Sequence, residues 1–279
     1  MMNAGAFQGE EHQPFWFQPE QPHGAALLVH GFPGTPAEMR SIAKVLVDNG
    51  YATEGLLLPG FGIQIDNLSE KKHQDWESAV DKALQKLQRQ YNRVIVVGNS
   101  MGGSLAIQAA ARHQADGLIL FAPFWTIDNV LWKALPIIKH VIPRVQPFKL
   151  FKPDFNDPEF QEGTRKFVPD ADFDDPDFQR QTLNFEIHTD LFAQIRQVGV
   201  RGYELAPQIK VPSLVIQGTG DDLVSPENTR KLIGRFNSAH EYIEVPAAHN
   251  PLQPNDAYWS RIVSATTAYL DKLAMTDRI

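Results

Sequence analysis

Val94-Ile-Val-Val-Gly-Asn-Ser-Met-Gly-Gly-Ser-Leu-Ala106 is the stretch that decides the fold. Val94 to Val97 is a short apolar run that reads as a buried strand of a parallel sheet. Met101 to Arg112 is small and apolar nearly all round, as expected of a helix packed tightly under a sheet. Only Gly98, Asn99 and Ser100 separate the two, so the chain must turn sharply there. A G-x-S-x-G match arises by chance in about a tenth of chains of this length at ordinary glycine usage, so its placement matters more than its letters. At a strand-to-helix turn, Gly98 and Gly102 let backbone segments pass close to a strained Ser100. Its hydroxyl then stands at the carboxyl end of the sheet, where open α/β sheets bind ligands.

The same grammar extends outward. Ala25 to Val29 and Leu214 to Gln217 read as further buried strands, Tyr51 to Leu58, Gly117 to Phe121 and Glu241 to Val245 as others. Helices are predicted over Pro36 to Asn49, Gln74 to Gln90, Pro226 to Phe236 and about Asn255 to Leu273, from apolar positions such as Trp76, Val80, Leu84 and Leu87 that share one face. Alternating strands and helices imply an α/β fold with a mostly parallel sheet flanked by helices. Between Pro123 and Pro207 the alternation breaks, and nine of the twenty prolines fall there, which marks an insertion. Residues 1–122 and 208–279 are therefore assigned to one core and 123–207 to an inserted cap.

Composition narrows the function. At 43% hydrophobic and 21% charged residues the chain is ordinary globular material. A formal charge of −7 argues against nucleic acid or an anionic membrane as partner. Absence of cysteine removes disulfides, thiolate catalysis and Cys-based zinc sites. Met1 to Gln21 is polar and lacks the apolar core of a secretory signal, and no run reaches the ~18 apolar residues of a membrane span, so a cytoplasmic protein without an integral membrane segment is expected.

A serine hydroxyl needs a base to take its proton, and that base needs an acid to orient it. Nine histidines compete. His249 follows the strand ending at Val245 and precedes the last helix, placing it at the carboxyl edge; His240 lies at the opposite edge, His30 sits in a loop suited to another role, and the others fall in tails, helices or the insertion. The acid should follow the preceding strand, where Gly218-Thr-Gly-Asp-Asp222 offers Asp221, with Asp222 as the alternative that caps the turn. The order Ser100, Asp221, His249 is the one expected on this kind of sheet. The oxyanion formed on attack needs preorganised N–H donors. The amide of Met101 at the start of its helix is one, and Phe32 in the glycine-rich loop His30-Gly-Phe-Pro-Gly-Thr35 is the other.

Together these residues resemble the bacterial carboxylesterase and monoacylglycerol lipase group of α/β-hydrolases, through Leu27 to Pro36, Gly98 to Gly103 and Gly218 to Pro226. The resemblance covers about Gly24 to Ala122 and Ile209 to Leu273 and leaves the insertion out. It implies the α/β-hydrolase fold and hydrolysis of a small-molecule ester or lipid substrate, a short or medium acyl ester or a monoacylglycerol, with Phe32 and Met101 as oxyanion donors and neither cofactor nor metal. Two positions depart from the group: Gly60-Phe61-Gly62 stands where Gly-His-Gly is common, and Asn99 where leucine is frequent. Acyl transfer, thioester hydrolysis and C–C bond hydrolysis would use the same three residues, and a binding module with an idle triad is the non-enzymatic rival.

Within the insertion, Asp154 to Gln161 echoes Asp172 to Gln179. The pattern reads as two helix starts with an Asp N-cap and Pro in the first turn. A calcium loop over Asp170, Asp172 and Asp174 would need glycine and glutamate where Asp175 and Gln181 stand. The insertion's phenylalanines, with Trp125 and Trp132, either line an acyl pocket or form a small core of their own.

Overall fold

The computed structural model describes residues 7–146, 148–149, 152–165 and 171–275. Its strands are Phe15–Phe17 (β1), Gly24–Val29 (β2), Tyr51–Leu56 (β3), Val94–Asn99 (β4), Gly117–Phe121 (β5), Arg144–Val145 (β6), Ile187–His188 (β7), Ser213–Gly218 (β8) and His240–Val245 (β9). Seven of them form one sheet in the order β1-β3-β2-β4-β5-β8-β9. Every pairing is parallel except that of β1 with β3. The chain steps from β2 outward to β3 and then to β4 on the other side of β2. That reversal opens a crevice between the loops leaving β2 and β4, the place where ligands bind in open parallel sheets.

The apolar runs are continuous because both faces of the sheet are covered. Ala25, Leu27, Val94, Val96, Leu118, Leu120 and Val215 point to one face and pack on the helices His73–Gln88, Met101–His113, Thr189–Leu205 and Pro226–Ile233. Their neighbours Ala26, Leu28, Ile95, Val97, Ile119, Phe121, Leu214 and Ile216 point to the other, against Arg40–Asp48 and Trp259–Met275. Trp76, Leu84 and Leu87 are fully buried, as their shared helical face required.

The mostly parallel sheet with flanking helices is the expected architecture, and the structure adds detail at its edges. Phe15–Phe17 forms a strand inside a segment too polar and proline-broken to show a period; Phe15 is buried beneath Arg40, whose guanidinium lies 4.8 Å above its ring. The helix expected from Pro36 begins as a tight 3-10 turn, Pro36–Met39, before the α-helix starts at Arg40. The last helix starts at Trp259, after turns through Asn255 to Tyr258.

The chain leaves the sheet after β5 and returns at β8, which pairs directly with β5. Between them lie the helices Val130–Val141, Pro158–Arg165, Pro176–Leu183 and Thr189–Leu205, and the two-residue ladder of β6 with β7. The phenylalanines here pack edge-to-face on one another: ring centroids of Phe155 and Phe160 are 5.6 Å apart, Phe160 and Phe173 6.3 Å, Phe173 and Phe178 5.4 Å. The two tryptophans pack inward as well. Trp125 stacks on Tyr203 at 4.2 Å and donates to the Asn228 carbonyl, and Trp132 meets Phe124 edge-on. The aspartates of the internal echo serve the backbone: Asp172 accepts from the Asp174 amide and Asp175 from the Asp177 amide, opening the helix at Pro176. Asp170, the first position of the calcium reading, lies outside the described residues.

Candidate active site

Ser100 sits where β4 meets the helix Met101–His113, with φ 51° and ψ −116°, a left-handed backbone that a side chain adopts only under constraint. The constraint is visible. Its amide continues the β4–β5 ladder to the Phe121 carbonyl at 2.9 Å, while its own carbonyl accepts from Gly103 and Phe124 at 2.9 and 3.1 Å. A Cβ on Gly98 would strike the Gly102 carbonyl, and one on Gly102 would strike the carbonyls of Val29 and His30. The G-x-S-x-G spacing is therefore enforced by sterics on both sides of the serine.

The loops after β8 and β9 run side by side and are pinned together by Thr219 N–H to Val245 O at 2.9 Å and Gly220 N–H to Ala247 O at 3.0 Å. This juxtaposition brings Asp221 Oδ2 to 2.8 Å from His249 Nδ1, and His249 Nε2 to 2.8 Å from Ser100 Oγ. An ionised carboxylate only accepts, so Nδ1 carries the proton and Nε2 turns its lone pair to the serine. Asp221 is buried and Asp222 exposed, which decides between the two candidates: only Asp221 lies against the histidine. Burial opposes ionisation of Asp221, but the hydrogen bonds from His249, the Val224 amide at 2.8 Å and Gln217 Nε2 at 3.0 Å outweigh it and hold the carboxyl below its ordinary range.

Phe32 lines the same cavity as Ser100 and His249, of about 640 Å³, together with Phe7, Leu252 and Pro254. Met101 is buried at the first turn of its helix. Among the described residues neither the Phe32 nor the Met101 amide donates to a protein acceptor. Phe32 is held from above by Phe192 of the helix Thr189–Leu205, ring centroids 6.4 Å apart. The loop bearing it is tied at its start by His30, which accepts from the Leu58 amide at 3.1 Å and donates to the Gly31 carbonyl at 2.8 Å. Burial lowers the His30 pKa to about 4. It is a structural clasp at the start of that loop. His73 bonds Gln194, His113 faces Asp81, and His240 is exposed at the amino end of β9, all away from the serine.

Four residues of the site went unread in the sequence. Gln217 is fully buried and binds Asp221 and Thr229 at once. His12 holds the Thr35 hydroxyl at 2.8 Å, bringing the polar N-terminal segment to the cavity. Phe192 lies on the helix Thr189–Leu205, whose buried Leu191, Ile195, Val198 and Gly202 follow a helical spacing that the reading of 123–207 as unpatterned passed over. Glu38 ends Thr35-Pro-Ala-Glu38, a capping-box pattern; its carboxylate instead reaches the Gly31 amide and Asn99 Nδ2, the latter at 3.1 Å. The polar Asn99 in a position open to leucine was the available signal.

Sheet order, elbow, and a serine, histidine and aspartate converging at the strand tips define a protein of the α/β-hydrolase fold. A family model described as serine aminopeptidase, S33, matches residues 20–249, and the chain belongs to that family. It is 34% identical over 87 residues to a thermostable monoacylglycerol lipase of Bacillus sp. (strain H-257), covering 31% of this chain and 35% of that one, so the match spans about a third of that relative's length. A metagenome-derived lipolytic enzyme superposes with a TM-score of 0.72 at 19% identity, over 94% of this chain and 98% of that one. The monoacylglycerol lipase of Paleococcus ferrophilus does so with a TM-score of 0.67 at 17% identity, over 94% and 98%.

Proposed function

We propose that the protein hydrolyses carboxylic esters through an acyl-enzyme, with Ser100 as nucleophile, His249 as general base and then general acid, and Asp221 holding the imidazole. The observation that carries this reading is the pair of 2.8 Å contacts that runs from Asp221 through His249 to Ser100. In the first half-reaction His249 takes the hydroxyl proton as Ser100 Oγ attacks the carbonyl carbon, and the amides of Phe32 and Met101 receive the developing charge. The imidazolium returns the proton to the leaving alcohol. Water then repeats the cycle on the acyl-enzyme and frees the acid.

Short or medium acyl esters and monoacylglycerols are the proposed substrates. The mixed cavity supports this, since Phe7, Phe32 and Leu252 offer apolar contact while His12 and Asn250 offer polar groups. The stretch between β5 and β8, assigned as a cap over 123–207, reaches the site through Phe192 and is proposed to shape its entrance. The relatives named as lipases are consistent with both proposals. A fluorophosphonate probe should label the wild type at Ser100, and Ser100→Ala should abolish both labelling and p-nitrophenyl butyrate turnover. Turnover by the alanine variant would overturn the assignment.

A further inference from the structure

The Glu38 carboxylate lines the cavity but takes no part in the acyl-transfer scheme above. One of its oxygens, Oε1, accepts from two donors that belong to different walls of the site: the Gly31 amide in the loop after β2, and Asn99 Nδ2 at the tip of β4. Gly31 is packed against the elbow, since a Cβ on it would lie 3.1 Å from Ser100 Cβ and 3.2 Å from the Asn99 carbonyl. The next amide along that loop is that of Phe32. Asn99 is itself buried, and its Oδ1 has no partner among the described residues, so the amide side chain is held through Nδ2 alone. Burial pushes the Glu38 carboxyl up from its ordinary value, opposed by these two hydrogen bonds and by attraction to His249.

A negative charge this close to a developing oxyanion would by itself oppose catalysis. The gain must lie in geometry. We propose that Glu38 is a positioning residue: by gripping Gly31 and Asn99 with one oxygen it fixes the loop so that the Phe32 N–H is set against Ser100, with Asn99 as its partner. This rests on the ester-hydrolase reading and adds a residue to it. The Thr35-x-x-Glu38 pattern supplies the side chain in the right turn, and the close approach of Gly31 redirects it from the helix start to the loop.

The test compares E38Q, E38D, E38L and N99L by kcat and KM for p-nitrophenyl butyrate, and by affinity for an alkyl trifluoromethyl ketone, which forms a tetrahedral oxyanion adduct with the serine. Glutamine keeps an acceptor oxygen and deletes the charge, so E38Q should stay within about threefold of wild type or exceed it. Aspartate keeps the charge but is one methylene short, and leucine offers no acceptor. Both should lower kcat by about tenfold to a hundredfold, the scale of a displaced oxyanion donor, with KM changed by less than about threefold. Ketone affinity should fall by the same factor as kcat/KM. N99L should lower kcat in the wild-type background but add nothing to E38L, because each removes the same clamp. If E38L does not fold, E38D carries the test. Wild-type kcat in E38D or E38L, equal damage in E38Q and E38L, or unchanged ketone affinity alongside a lowered kcat would overturn the proposal. Absence of wild-type turnover and labelling would instead overturn the hydrolase reading beneath it.

Discussion

His30 ties the acid stability of the fold to the loop that carries Phe32. Its ring has no solvent exposure and sits between a donor, the Leu58 amide, and an acceptor, the Gly31 carbonyl. Protonating Nε2 would aim its new N–H at an amide N–H in a desolvated place, which is why burial drives the pKa down from 6.5 to about 4. As pH falls through 6.5 the unfolded chain takes up a proton and the folded chain does not, so stability declines from there until about pH 4, where both states are protonated. A histidine moved that far contributes a loss of about 3 kcal/mol over the window. Urea unfolding followed by tryptophan fluorescence at pH 7.5 and pH 4.5, on wild type and His30→Gln, isolates this contribution. Glutamine can accept from the Leu58 amide and does not titrate, so the variant starts less stable at pH 7.5, by about 1–3 kcal/mol, yet should lose about 2–3 kcal/mol less on acidification. Parallel declines in the two proteins would refute the argument.

Other expectations follow from the same geometry. Asp221→Asn should lower kcat by on the order of 10⁴-fold by favouring the wrong imidazole tautomer, whereas Asp222→Asn, at an exposed position, should leave kcat within about twofold; equal effects would sink the assignment. Gly102→Ala forces a methyl group onto the Val29 and His30 carbonyls and should reduce unfolding free energy by more than about 3 kcal/mol with loss of serine labelling, measured by denaturant titration and a fluorophosphonate probe. Gln217→Leu leaves the Thr229 hydroxyl without its acceptor and Asp221 Oδ2 with His249 as its one remaining side-chain donor, and should cost about 1–3 kcal/mol together with a fall in kcat; a variant with both unchanged would show Gln217 to be dispensable.

The parts of this molecule that follow simple periods were readable in the sequence. Ala25 to Val29, Val94 to Val97 and Leu214 to Gln217 are buried on both faces, so their apolar runs are uninterrupted and their strand assignment follows. Ser100, Asp221 and His249 were singled out because each follows a strand in a loop of a particular chemistry, and the structure brings the three side chains together. Asp221 is preferred in the sequence to its neighbour Asp222, and it is Asp221 that lies against His249. Gln217 escaped notice because a buried glutamine within a strand looks like an ordinary interruption, and its purpose lies in partners four and twelve residues away. Between β5 and β8 the aromatic residues satisfy one another across turns rather than along one helix face, which erases the period that reading depends on. Helix Val130–Val141 even carries Pro136 in its interior and exposes Val130, Ile137 and Val141, inverting the usual rule.

Leaving the sheet at Phe121 and rejoining it at Ser213 on an adjacent strand has an evolutionary corollary. The helix Thr189–Leu205 packs Leu191, Ile195 and Val198 into the core, whereas Leu135 and Phe173 of the preceding stretch are buried outside the two main clusters, so the length of that stretch is the freer to change: doubling a flexible loop adds only about 0.6 kcal/mol of closure entropy. Changes of length between the helices Val130–Val141 and Thr189–Leu205 leave the register of the strand tips alone. On the proposed reading, in which this stretch shapes the entrance to the site, that entrance can be remodelled without moving Ser100, Asp221 and His249.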